Sequence, residues 1–149
     1  MGIRPHIAGW LLLIYTGIIV GLSQWRLVPS SAHPQTVNLV PFWGLGQSLA
    51  AGSLAVLINI IGNIVAFMPI GLLLPLWHTR GRRLRNGALI GCGLSITIES
   101  LQWIQGQRVT DVDDVMLNTL GAVLGYLVFW VLTSWIFRSI NNDKPENSI

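Results

Sequence analysis

The sequence contains few charged residues and a single cysteine, and each of these features restricts the class of protein to which it can belong. Asp, Glu, Lys and Arg make up 10% of its 149 residues, whereas soluble domains carry about 25%. With Cys92 as its one cysteine, the chain cannot form an intramolecular disulfide. Hydrophobic residues make up 52% of the chain and fall in blocks long enough to cross lipid. We therefore predict an integral membrane protein with a single domain over residues 1–149.

Four hydrophobic runs predict an all-α membrane protein, a bundle of four transmembrane helices. The spans are expected at about residues 7–23, 54–76, 87–104 and 115–137, all within the roughly 17–25 residues that a spanning helix needs. The first is expected to be retained, because Trp25 and Arg26 interrupt a signal-peptide pattern. The loop that follows it is partly apolar around residues 38–43, so it is expected at the membrane interface or folded back into the protein. Residues 139–149 form a polar tail.

The distribution of lysine and arginine predicts the orientation. One side would carry Arg4, Arg80, Arg82, Arg83, Arg85, Arg138 and Lys144. The other side would carry only Arg26 and Arg108. Because cytoplasmic loops are enriched in Lys and Arg, both termini and the arginine-rich turn are expected in the cytoplasm. The basic residues then lie at membrane edges, so no nucleic acid partner is expected.

Polar residues recur in the outer halves of the predicted helices, at spacings that place them on one face. Asn59 and Asn63 lie four residues apart, and Glu99 and Gln102 lie three apart. The series continues with Arg108, Asp111, Asp113, Asp114 and Asn118. Ionisable groups at membrane depth are costly and usually face the bundle interior, which makes Glu99 a candidate functional residue. In this topology all these residues converge near the extracytoplasmic surface, beneath the loop that contains Asn38.

Structural roles stay open for several of these residues. Thr110 with Asp113 matches a capping box, and acidic residues favour a helix N-terminus, which would account for one or two of the aspartates. The asparagines either join helices by hydrogen bonds or bind a ligand. Close helix contacts are predicted at three small-residue pairs, Gly17–Gly21, Gly87–Gly91 and Gly121–Gly125.

Four motifs follow one another between about residues 37 and 126. They are Asn38-Leu39-Val40-Pro41-Phe42, then Asn59-x-x-Gly62-Asn63 continuing through Phe67-x-Pro69-x-Gly71, then Glu99-x-x-Gln102, then Arg108-x-x-Asp111-x-x-Asp114-x-x-x-Asn118-x-x-Gly121. In this order and spacing the chain resembles the VanZ-like membrane protein family. The resemblance implies a small protein of the bacterial inner membrane. It also implies a link to the teicoplanin tolerance associated with the founding member of that family.

Two functions are compatible with these observations. In the first, the outer site binds the headgroup of a lipid-linked envelope precursor or a glycopeptide-related ligand. Its expected binding residues are Asn38, Asn59, Asn63, Glu99, Gln102, Arg108, Asp111, Asp114 and Asn118. In this interpretation Arg108 meets a phosphate or carboxylate.

In the second, the protein is a membrane enzyme that acts on such a lipid-linked substrate. Glu99 would serve as acid or base, and Asp111 and Asp114 could share a divalent metal. No nucleophile–base pair or recognised metal pattern is visible, and the sequence names no cofactor. A transporter is disfavoured because the polar series does not continue into the cytoplasmic halves of the helices. The lipid bilayer is an expected partner, and oligomerisation is left open.

Overall fold

Four long helices make up most of the part of the chain that the structure, a computed structural model, describes: residues 5–24, 37–43, 46, 54–105 and 110–142. The helices are α1 (Pro5–Ser23), α2 (Leu54–Trp77), α3 (Leu84–Ile104) and α4 (Val112–Asn142). Each is long and apolar enough to cross a membrane. The predicted all-α bundle of four membrane-spanning helices is confirmed.

The helix boundaries lie close to those predicted from hydropathy. α1, α3 and α4 begin two or three residues before the predicted starts, and α4 continues past the predicted end at residue 137. α2 runs without interruption through Pro69 and Pro75 and ends at Trp77. Apolar segments in lipid must satisfy their backbone groups internally, which explains why the helical state extends over the whole of each run.

The tightest helix packing lies between α2 and α4. Gly71 of α2 lies against the backbone carbonyl of Ala122, and Gly121 and Gly125 of α4 lie against backbone carbonyls of α2. A Cβ atom at any of these three positions would overlap the facing backbone, so only glycine permits this approach. Close backbone approach is the main source of attraction between helices in lipid, where the hydrophobic effect between them is absent.

The three predicted glycine pairs differ in outcome. The pair on α4 lies in the contact with α2, as predicted. Gly91 of α3 also packs closely, since a Cβ there would lie 2.6 Å from the Cβ of Ala122. Among the described residues, nothing lies within 4 Å of a Cβ built at Gly17, Gly21 or Gly87. The prediction of a close contact is therefore wrong for the α1 pair and for the first member of the α3 pair.

Charged residues are segregated to opposite ends of the bundle. A two-residue parallel bridge joins β1 (Val37–Asn38) to β2 (Thr110–Asp111), and it places the loop after β1 beside the start of α4. We call this the polar end, because it holds all the carboxylates of the described residues: Glu99, Asp111, Asp113 and Asp114. The opposite end carries a 3₁₀ turn (Thr79–Arg82) between α2 and α3, and we call it the arginine end.

Candidate polar binding site

Asp111 organises the start of α4. Its Oδ1 accepts the N–H of Asp113 at 3.0 Å, which caps the first turn of the helix. Both of its carboxylate oxygens also accept the side-chain amide of Asn38, each at 3.2 Å. The expected Thr110–Asp113 capping box is therefore wrong: Thr110 pairs with Val37 in the bridge, and the helix begins only after Asp111.

The apolar loop after β1 is fastened over the same helix end. Asn38 Oδ1 accepts the N–H of Val40 at 3.1 Å. The buried Asp113 accepts the N–H of Phe42 at 2.6 Å through Oδ1. Phe42 has a φ of 64°, a left-handed conformation that is costly for a bulky side chain. Asp111 and Asp113 therefore fix the loop, whereas the third aspartate, Asp114, has other partners.

Asp114 joins α4 to α2. Its Oδ1 accepts the side-chain amides of Asn59 at 3.1 Å and Asn63 at 2.6 Å. The four-residue spacing of the two asparagines places both amides on the face of α2 that meets α4. Asp114 is 5% exposed, so both hydrogen bonds lie inside the bundle. These three predicted site residues are thus brought together.

Glu99 and Gln102 lie on the face of α3 that points into the bundle, and both are buried. Glu99 Oε2 accepts the N–H of Asp111 at 3.4 Å, which links α3 to the start of α4. Gln102 Nε2 donates to the backbone carbonyl of Ser23 at 2.9 Å, at the C-terminus of α1. Since a carbonyl can only accept, this bond fixes the orientation of the Gln102 amide. Its Oε1 is buried and has no hydrogen-bond partner in the part of the chain that the structure describes.

Asn118 pairs with a residue that the sequence analysis did not single out. Its Nδ2 lies 2.8 Å from the hydroxyl oxygen of Ser95, which is fully buried. The Oδ1 of Asn118 is buried, and none of the described residues forms a hydrogen bond with it. Ser95 precedes Glu99 by four residues and Gln102 by seven, so the helical spacing that linked those two could also have identified Ser95.

The buried polar groups line a cavity of about 380 Å³ near the polar end. Its polar wall is formed by Ser23, Asn63, Glu99, Gln102, Asp114 and Asn118. Its apolar wall is formed by Ile19, Leu22, Ala66, Phe67 and Ile98. The sequence analysis missed the contribution of α1, because Ile19 and Leu22 carry no polar signal. A cavity lined by both polar and apolar side chains suits an amphiphilic molecule, which carries polar groups and hydrocarbon together.

The remaining predicted residues have other positions. Asn38 and Asp111 hold the loop beside the cavity and do not line it. Arg108 lies outside the described residues. Within the described ranges, no group of three or more His, Cys, Asp or Glu side chains could hold a metal ion. The weak metal candidates, Asp111 and Asp114, accept hydrogen bonds from different asparagines.

Comparison with known proteins places these elements in a family. The family model described as VanZ/LLP1 matches residues 8–134. The match spans α2 and α3, most of α1 and α4, and every described residue that lines the cavity. Protein VanZ of Enterococcus faecium is 32% identical over 124 residues, which cover 80% of this chain and 71% of that protein. No solved structure matches the chain.

Proposed function

The chain belongs to the VanZ/LLP1 family, and from this premise we propose that its polar end binds the headgroup of a lipid-linked envelope precursor. The proposal places the protein in the bacterial inner membrane with both termini in the cytoplasm. The arginine end then faces the cytoplasm, in agreement with the positive-inside distribution of Lys and Arg. The cavity would open toward the outer leaflet, where the headgroups of such precursors are displayed.

The observation that carries this proposal is a buried acceptor on Gln102, a residue that lines the amphiphilic cavity. Gln102 Oε1 is buried and has no hydrogen-bond partner among the described residues, and the bond to Ser23 prevents the amide from turning over. A buried acceptor without a partner costs about 1–3 kcal/mol, which a ligand recovers by donating a hydrogen bond there. The Oδ1 of Asn118 is a further buried acceptor in the same wall. The headgroup is therefore one that donates hydrogen bonds, as sugar hydroxyls and amide N–H groups do.

The apolar wall supports a lipid-linked molecule rather than a free sugar. Ile19 and Leu22 of α1 line the cavity together with polar groups of α2, α3 and α4. The first methylene groups of a lipid chain would fill this wall by van der Waals packing, since the hydrophobic effect between apolar surfaces is absent in lipid. A free sugar offers no hydrocarbon for this wall.

The same contacts favour binding over metal-assisted catalysis. The carboxylate of Asp111 accepts the amide of Asn38, and Asp114 Oδ1 accepts those of Asn59 and Asn63. A shared metal would compete with these amides for the carboxylate oxygens. As an enzyme, the protein would rely on Glu99 as its acid or base.

The proposal connects the site to glycopeptide tolerance, because binding of an envelope precursor would change how much of it an antibiotic can reach. The test compares the inhibitory concentration of teicoplanin in a susceptible host that carries the wild type, Glu99→Gln or Ser100→Ala. Ser100 is an exposed neighbour whose hydroxyl bonds within its own helix, so it serves as the matched control. Membrane levels are equalised by immunoblot.

We expect the wild type and Ser100→Ala to protect the host and Glu99→Gln to lose protection. Equal protection by all three would show that the Glu99 carboxylate has no part in the function. Absence of protection by the wild type would refute the link to antibiotic tolerance for this chain.

A further inference from the structure

Another cavity lies at the arginine end, between the end of α2 and the start of α3. Its volume is about 420 Å³. Leu74 and Trp77 of α2 and Leu89 and Ile90 of α3 form its apolar wall, and Arg80 lies at its rim. The cavity is far along the bundle from the polar site and shares no lining residue with it.

The surroundings of this cavity are strongly basic. Arg80, Arg82, Arg83 and Arg85 fall within six positions, and all four are exposed. Every carboxylate of the described residues lies at the polar end, so in that part of the chain no acidic side chain neutralises the four arginines. A cluster of basic side chains beside a membrane attracts anionic headgroups, each contributing about fivefold in affinity.

The backbone of the turn is held by side chains from three directions. His78 Nδ1 accepts the N–H of Arg80 at 3.0 Å, and Asn86 of α3 donates to the carbonyl of Arg80 at 2.7 Å. The hydroxyl of Tyr126 on α4 donates to the carbonyl of Arg82 at 2.7 Å. The positions from which the arginine side chains extend are thereby fixed.

A role of the arginines in setting the membrane orientation does not by itself explain why the backbone of the turn is held in place. Arginines that set membrane orientation act by their charge while the chain is being inserted, before α4 can pack against the turn. Fixing the backbone afterwards is useful only to the folded protein, because a preorganised site loses less entropy when a ligand binds. In addition, α3 begins after Arg83 without a side-chain cap, which leaves N–H groups of its first turn for an anion.

We propose that the arginine end holds one anionic phospholipid. Its phosphate lies among Arg80, Arg82 and Arg83 at the start of α3, and an acyl chain lies along the apolar wall that contains Leu74 and Leu89. Two features of the structure point to this occupant. The charge of the turn is complementary to a phosphate, and the adjoining wall is hydrocarbon, so a free phosphate would leave that wall unfilled. This site does not depend on the function proposed for the polar end.

The test uses the purified full chain in nanodiscs of phosphatidylcholine, with or without added phosphatidylglycerol. Native mass spectrometry gives the number of retained lipids and their apparent affinity. The variants are Arg80→Gln and Arg138→Gln, which change the net charge equally; Arg138 is exposed near the end of α4, outside the turn. A third variant, Gln102→Met, alters the polar cavity only.

We expect one phosphatidylglycerol to remain bound to the wild type, to Arg138→Gln and to Gln102→Met. In Arg80→Gln its affinity should fall about fivefold. Equal weakening in both arginine variants would reduce the effect to diffuse attraction and overturn the proposal. The same conclusion would follow if phosphatidylcholine were retained as well as phosphatidylglycerol. Loss of binding in Gln102→Met alone would assign the lipid to the polar cavity and overturn the proposal as well.

Discussion

Replacing Gly125 by alanine should separate α2 from α4, although it adds a single methyl group. The new Cβ would overlap the backbone carbonyl of Met68, which has no rotamer by which to move away. Overpacking a well-packed core typically costs about 1–3 kcal/mol, and backbone-to-backbone overlap belongs at the upper end of that range. Against this, alanine favours a helix by up to about 1 kcal/mol relative to glycine.

Gly17→Ala on α1 is the matched control, because it carries the same gain in helix propensity and its Cβ meets no described atom within 4 Å. The difference between the two variants therefore isolates the steric term. We expect Gly125→Ala to be less stable than Gly17→Ala by about 2–3 kcal/mol, the upper part of that range. Each 1.4 kcal/mol corresponds to a tenfold change in the folded-to-unfolded ratio.

The assay is reversible unfolding in mixed micelles as the fraction of denaturing detergent is raised, followed by circular dichroism. Gly71→Ala places its methyl group against Ala122 from the opposite side of the same contact, so it should be similarly unstable. The double variant with Gly71→Ala and Gly125→Ala should lose less free energy of unfolding than the sum of the two single losses. The reason is that one separation of the helices relieves both overlaps. If Gly125→Ala and Gly17→Ala proved equally stable, the close approach of α2 and α4 would be refuted.

Further predictions concern the hydrogen bonds of the polar end. A double-mutant cycle with Asn63→Leu and Asp114→Leu should give a coupling energy of about 1–2 kcal/mol in the same unfolding assay, whereas additivity within about 0.5 kcal/mol would contradict the bond. Asn38→Ala removes the acceptor of the Val40 amide and a donor to Asp111, so hydrogen exchange across residues 38–43 should accelerate while exchange in α2 stays unchanged. Unaltered exchange in that loop would show that Asn38 does not hold it.

The sequence predicted the helices well because the physics of lipid leaves few alternatives. A run of about twenty apolar residues can satisfy its backbone in hydrocarbon only as a helix, so hydropathy alone located each span. Polar spacing was also informative. Asn59 with Asn63, and Glu99 with Gln102, each lie on one helix face because that geometry follows from the helical repeat itself.

The tertiary partners of these side chains could not be predicted from hydropathy and helical spacing. The acceptor of the Gln102 amide is a backbone carbonyl at Ser23, which no side-chain pattern reveals. The pairing of Asn38 with Asp111 depends on a bridge between segments 73 residues apart. Gly17–Gly21 and Gly121–Gly125 have the same spacing, yet among the described residues only the second pair meets a neighbouring helix, because contact depends on which face the partner covers.

The central claim is that the polar cavity binds a lipid-linked headgroup through Gln102. Its most direct measurement is the thermal unfolding of the purified protein in nanodiscs with a polyprenyl-phosphate-linked sugar. Polyprenyl phosphate without the sugar is the control ligand. Gln105→Met, at an exposed position, is the control for Gln102→Met.

A ligand at one hundred times its dissociation constant adds about 2.7 kcal/mol to the stability of the folded state. For a chain of this length that is a rise of roughly 5–10 °C. We predict this rise in unfolding temperature with the sugar-linked lipid in the wild type and in Gln105→Met. Polyprenyl phosphate without the sugar should give a much smaller rise. In Gln102→Met the part of the rise that depends on the sugar should be lost. An equal rise in all three proteins, or none in the wild type, would contradict the claim.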